Sequence, residues 1–333
     1  MRHPDAHARP VRPFPSVAAR QCGVFSLLQA KPEGWTRSAL LHACRTDRLT
    51  VLRPGAYQVT DLAALGVHLD RFEEARWRHA APGIAAALTC TAVASHSTAA
   101  VLRSVPLLFL PERACVCVVP YWTGRIVGVH LHRCPLPASV SGVLNATKIE
   151  RTVIDLAREH GFASGLVAAD AALHLGWTTV EAIAAELETC HRWPGVRAAR
   201  DALAFADARS ESVLETRSRL LMRQWGLPEP DLQVRIGNEW GGLVARVDFY
   251  WDEFGVVGEA DGALKYDGTD PVPLHEEKKR QEKLEQDLEL PVVRWGNADL
   301  RDFGAIAARL QRRFAQRAGL PRATRRWTVL PPL

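Results

Sequence analysis

Two apolar runs, Leu243 to Trp251 and Val256 to Ala260, stand four residues apart, and this spacing leaves the chain few ways to fold there. Strands joined so closely pair antiparallel as a hairpin, because a parallel return needs a long crossover. If Asp252 to Gly255 all form the loop, Trp251 pairs with Val256 and Asp248 falls directly opposite Glu259. A two-residue loop sets Asp248 opposite Val257 and diagonal to Glu259. In either register Asp248, Glu259 and Asp261 project from one sheet face, since side chains repeat every two residues. Three neighbouring carboxylates repel unless a proton or cation stands among them, so the cluster is costly as mere structure. Hard oxygen donors without nearby Cys or His select Mg²⁺ or Mn²⁺ over zinc.

Around the hairpin, Ser212 to Trp225 carries Leu214, Leu221 and Trp225 on one helical face and ends at Gly226 and Pro228. Leu232 to Ile236 alternates as a strand, His275 to Leu288 reads as a charged helix, and Pro291 to Trp295 as a short apolar strand. The order α-β-β-β-α-β, carried by SVLETRSRLLM, ARVDFYW, VVGEADGALKY and the EEKKRQEKL helix, resembles the PD-(D/E)xK nuclease superfamily over about residues 210 to 315. Within it the chain looks like the very-short-patch-repair-like branch. The resemblance implies a restriction-endonuclease-like core and metal-assisted phosphodiester hydrolysis. Glu215 would be the first-helix acid, Asp248 the second-strand acid and Glu259 the acid opening the third-strand motif. Where the superfamily has lysine two residues after that acid, this chain has Asp261. Lys265, four residues further on, is then the lysine that reaches back to hold or deprotonate the attacking water. Mg²⁺ or Mn²⁺ would sit on Asp248, Glu259 and Asp261, and Lys278 or Gln281 would touch the scissile phosphate.

Plainer readings stand beside these. Ser212-x-x-Glu215 is a capping box, Asp248 can pair with Arg246 or Arg235, Asp261-Gly262 is a common turn, and Glu276, Lys279, Arg280 and Lys283 can form a solvated face.

The net charge of +5 is unevenly distributed. Residues 1 to 60 hold nine Lys/Arg against three Asp/Glu, residues 296 to 333 hold eight against two, and the interior is acidic. Basic ends suit a phosphate backbone, although basic tails also serve solubility alone. After a Pro-rich arm over residues 1 to 16, Val17 to Cys22 and Ser26 to Ala30 read as short helices. Thr36 caps a third, Arg37 to Arg45, with Ala39, Leu40, Ala43 and Cys44 as its apolar stripe. Leu49 to Arg53 and Ala56 to Val59 then form a hairpin around Pro54-Gly55. Three helices followed by a hairpin spell a winged helix-turn-helix over residues 17 to 60. The stretch QCGVFSLLQA and GWTRSALLHACRTDRLTVLRPGAYQV resembles the N-terminal module of AbiEi-type antitoxins of type IV toxin-antitoxin systems, with Lys31-Pro32-Glu33 as a departure. Arg37, Ser38, His42 and Arg45 on the third helix, with Arg53 on the wing, are its candidate DNA contacts.

Residues 61 to 205 read as a mixed α/β and helical connector. Helices are expected over residues 91–102, 148–158, 166–173, 178–188 and 196–205, and strands over 114–119 and 126–131. Cys115 and Cys117 alternate on one strand and His130 and His132 on the next, which invites a zinc reading. The absence of Cys-x-x-Cys spacing favours buried thiols beside half-exposed histidines. His96 and the helix of Arg151 to Arg158 read as structural. Seven scattered cysteines fit reduced thiols, and no apolar stretch has membrane-spanning length, so a cytoplasmic protein is expected. The chain therefore reads as an α/β, α+β multidomain protein, with a nuclease-like domain over residues 206 to 320 and a tail over 321 to 333. The expected function is Mg²⁺-dependent DNA endonuclease; the alternative is a non-catalytic DNA-binding regulator or antitoxin, with a cognate toxin protein as partner.

Overall fold

The computed structural model describes residues 12–135, 144–261, 283–319 and 326–331. The chain divides into two compact units, one of residues 1–165 with 181–200, the other of residues 166–180 with 201–333. The architecture is mixed α/β with three small sheets, and among the described residues no helix is long and apolar enough to cross a membrane.

In the first unit the helix expected over residues 17–22 shrinks to a single 3-10 turn, Ala18–Arg20. Cys22 and Gly23 take φ of 54° and 79° and redirect the chain into a strand, β1 (Val24–Ser26). Ser26 and Gln29 then close a capping box on α1 (Leu27–Ala30), which runs into a 3-10 turn through Pro32 and stops at Gly34. The Thr36 hydroxyl accepts from the Ala39 N–H at 3.2 Å to start α2 (Arg37–Arg45). The hairpin β2 (Leu49–Arg53) and β3 (Ala56–Val59) follows, with β3 central in the antiparallel order β1-β3-β2. Phe25, Trp35, Leu40 and Tyr57 fill the space beneath. Phe14 stacks on Trp35, and Arg48 lies over Phe14, so the end of the supposed arm packs onto this core.

A long helix follows that the periodicity does not announce, α3 (Arg71–Thr89), started by an Asp70/Glu73 capping box. The helix expected over residues 91–102 opens instead as β4 (Ala92–Ala94), because Val93 pairs with Cys117; only then comes α4 (His96–Leu102). β5 (Ala114–Val118) lies between β4, antiparallel, and β6 (Val129–Arg133), parallel. The parallel register sets Cys115 beside His130 and Cys117 beside His132. The helices α5 (Ile149–His160), α6 (Phe162–His174), α7 (Val180–Thr189) and α8 (Val196–Phe205) continue the chain.

The second unit contains α9 (Val213–Gln224), β7 (Asp231–Asn238), β8 (Leu243–Trp251), β9 (Val256–Ala260), β10 (Val292–Trp295), α10 (Phe303–Arg317) and β11 (Trp327–Leu330). Its sheet runs β10-β9-β8-β7-β11, with β9 and β10 parallel and the other pairs antiparallel. Phe249, Trp251, Val256, Val293 and Trp295 pack with Leu214 and Met222 of α9 and Phe303, Ile306, Leu310 and Phe314 of α10. Tyr250, Val257 and Val292 pack with Leu284 and Leu288. Of the helix expected over residues 275–288, residues 275–282 lie outside the described residues, and Lys283–Asp287 is a π-helical turn. The supposed tail contributes β11, which pairs with β7.

Candidate functional site

The β8–β9 register pairs Trp251 with Val256, Tyr250 with Val257 and Phe249 with Gly258, the four-residue-loop alternative. The paired stretch ends there, and the same register continued one residue sets Asp248 opposite Glu259. On the far side of β9, Glu259 pairs with Arg294 of β10. Leu232 faces Phe249 and Val234 faces Val247, which places Gln233 abreast of Asp248. A polar row, Gln233, Asp248, Glu259 and Arg294, thus crosses four neighbouring strands.

Asp248 is half-buried, and its Oδ2 accepts the Ala260 N–H at 2.8 Å. Glu259 is 2% exposed. The Arg294 guanidinium lies 3.5 Å from Glu259 Oε2 and 3.8 Å from Asp261 Oδ2, so one cation serves two acids. Sequence reading looked for that cation near Lys265 and missed Arg294. Its signal is weak, because only the parallel pairing of VVGEA with VVRW brings it to Glu259.

Ser212 caps the helix, its Oγ accepting the Glu215 N–H at 3.1 Å, while the Glu215 side chain binds outside the helix: Oε1 accepts from Ser212 Oγ at 2.7 Å, and Oε2 from the Glu211 N–H and Gln233 Nε2, both at 2.9 Å. The last bond joins Glu215 to the end of the polar row. Gln233 makes it from a left-handed backbone, φ 54°, a conformation costly for a residue with a side chain. The two arginines available to Asp248 on the surface are engaged elsewhere. Arg246 forms a two-pronged pair with Glu211 at 2.7 and 2.8 Å, and Arg235 donates to the Pro331 carbonyl. Lys265, Lys278 and Gln281 lie outside the described residues. Among the described residues, triads of ligating side chains whose donor atoms all fall within 4.8 Å are found at His96–His132–Glu159 and His96–Cys117–Asp155, and the carboxylate row is not such a triad.

Elsewhere in this unit Asp170 accepts from Thr216 Oγ1 at 2.8 Å, Arg219 Nη1 at 2.8 Å and the Asp207 N–H at 2.9 Å. Burial nonetheless pushes its carboxyl up to about 6.

In the first unit, α2 buries Leu40 and Ala43 and presents Arg37, Ser38, His42 and Arg45 to solvent, as its apolar stripe requires. Arg53 departs from this pattern. It is half-buried, and its Nε and Nη1 are enclosed without a hydrogen-bond partner among the described residues.

No protein-family model matches the chain. Two uncharacterized proteins of Mycobacterium tuberculosis, from two strains, are each 35% identical to it over 191 residues. The match takes in 56% of this chain and 65% of each relative, so it spans less than two thirds of either relative's length.

Proposed function

We propose that the chain acts on DNA, with the second unit a metal-dependent endonuclease-like phosphodiesterase and the first a winged-helix DNA-binding module. The observation that carries the first half is the β8–β9 register, which sets Asp248 opposite Glu259 with Asp261 two residues on. An all-oxygen donor set of this kind suits Mg²⁺ or Mn²⁺, and Asp248, Glu259 and Asp261 are the residues that would hold it. Such an ion, when bound, lowers the pKa of a coordinated water and offsets charge on a phosphate. The chain's own part is positional. The Ala260 N–H fixes Asp248, and Arg294 restrains the repulsion between Glu259 and Asp261 while adding a cation where a phosphate would approach. Lys265 is assigned the water. For the first unit, support comes from the exposed Arg37, Ser38, His42 and Arg45 on a helix whose opposite face is buried.

Plasmid cleavage with Mg²⁺ or Mn²⁺ tests the enzyme, wild type beside Asp248→Ala and Glu259→Ala. Metal-dependent nicking lost in both variants is the expected result, and no cleavage of any DNA or RNA by the wild type would end the proposal. A second reading, a non-catalytic DNA-binding regulator of antitoxin type that keeps the nuclease-like fold as scaffold, is favoured by Arg294 standing beside two of the acids. It expects DNA binding without cleavage, and a toxin protein as partner.

A further inference from the structure

We propose that the first unit holds a transition-metal ion of the zinc class between His96, Cys117 and Asp155, a site distinct from the carboxylate row. Three elements deliver these residues: the start of α4, β5 and α5. His96, Cys117 and Asp155 are all buried, with their donor atoms within 4.8 Å of one another. His132 and the exposed Glu159 form a second triad with His96 under the same limit. The two triads share His96, while the parallel register sets His132 next to Cys117 along the strands but outside the buried donor set.

Two observations point to a ligand rather than to packing. Asp155 Oδ2 and His132 Nε2 are both buried, and neither has a hydrogen-bond partner among the described residues. Asp155 is wholly buried, where an open carboxylate lone pair is costly unless something positive meets it. Its other oxygen is already committed: Arg151 Nε and Arg158 Nη1 each donate to Oδ1 at 2.9 Å. Both guanidiniums lie over the Trp193 ring, at 4.0 and 4.8 Å, so the carboxylate is held by an outer shell that leaves Oδ2 open.

His96 presents one open nitrogen to this set. His96 Nδ1 bonds to Ser95 Oγ at 3.0 Å, which leaves Nε2 free to ligate, 4.0 Å from Asp155 Oδ1. The ring reaches this position from a left-handed backbone, φ 48°, and stacks on His132 with centroids 3.6 Å apart. Nitrogen, thiolate and carboxylate donors in one buried set select zinc over magnesium. The site lacks a Cys-x-x-Cys knuckle because its ligands come from different elements, which is why strand alternation alone favoured buried thiols there.

The full chain, purified without chelator or metal-affinity resin, is assayed for metal by mass spectrometry, then stripped and titrated with Co²⁺. The expected result is about one metal per chain and a thiolate-to-cobalt absorption band. Cys117→Ser and His96→Gln each weaken Co²⁺ binding at least about 100-fold, more than loss of an outer-shell partner does, while Cys115→Ser binds as wild type. Circular dichroism checks the folding of each variant, and if both fail to fold, the wild type's own metal content and cobalt band decide the matter. Wild-type protein without metal above background and without the cobalt band overturns the proposal, as does unchanged binding in a folded Cys117→Ser or His96→Gln.

Discussion

The register of β9 can be tested at Gly258, one residue before Glu259. A Cβ added there would meet Trp295 Cη2 at 2.7 Å, Trp251 Cζ3 at 3.1 Å and Phe249 Cβ at 3.2 Å. The first distance is far inside ordinary contact, so Trp295 or the strand must move. Trp295 is poorly placed to yield. It is 2% exposed, its Nε1 donates to Ser218 Oγ at 2.7 Å, and its ring stacks on Phe249 with centroids 5.4 Å apart. Overpacking of a rigid core costs about 1–3 kcal/mol, and breaking the Trp295–Ser218 bond adds about 1 kcal/mol. Gly258→Ala is therefore expected to destabilise the second unit by about 2–4 kcal/mol, read from urea denaturation followed by circular dichroism. Trp295→Phe removes the colliding atom, so the double variant should recover part of the loss beyond additivity. A Gly258→Ala protein within about 0.5 kcal/mol of wild type would refute the packing of β9 between these rings, and with it the pairing of Asp248 with Glu259.

Three other outcomes follow from geometry. Glu215→Ala should cost about 2 kcal/mol, because the Glu211 N–H and Gln233 lose their acceptor, whereas Glu215→Gln should cost less than half of that; equal losses in thermal unfolding would count against these bonds. Asp170 has a folded-state value of about 6 against an ordinary 3.8, so the folded form binds its proton more tightly than the unfolded form. Its contribution to stability must then fall as pH rises through that window, by about 3 kcal/mol in all. The stability of wild type relative to Asp170→Asn should accordingly decline from pH 4 to pH 7, and a difference that grows with pH would contradict the sign. Arg37→Ala should weaken DNA binding and lower the magnitude of its salt-dependence slope by about 1, and binding with an unchanged slope would move the contact surface off α2.

Legibility from sequence followed the range of the interactions. The β8–β9 hairpin could be read because a short loop leaves only two registers, both with the same residues on one face, and the stripe of α2 because Leu40 and Ala43 recur within one turn. Arg294 could not be read. Its place beside Glu259 depends on a parallel pairing across a long connection, and no local pattern encodes that register. α3 was missed although Asp70 and Glu73 form its capping box, since Pro82 and a run of alanines blur its periodicity. Cys22 and His96 show a different limit. Their left-handed backbones break the helices that composition suggests, and only tertiary packing holds a residue with a side chain in that conformation. The cluster around His96 was legible only in part: strand alternation drew attention to Cys117 and His132, but His96 and Asp155 join Cys117 from two helices that periodicity treats one at a time.

The two units interleave in sequence, and this governs how the chain can be cut. Residues 166–180 belong with residues 201–333, yet residues 181–200 return to the first unit. A fragment starting near residue 206 would look like a tidy domain by its motifs. It would lack Asp170, and so leave Arg219, 7% exposed, without the carboxylate that holds it at 2.8 Å. Such a fragment inherits a buried cation with no counter-charge, a defect of several kcal/mol. Neither unit is a bead on a string that recombination could lift out whole. A gene fusion or deletion that respects both cores has to carry the crossing segments with it.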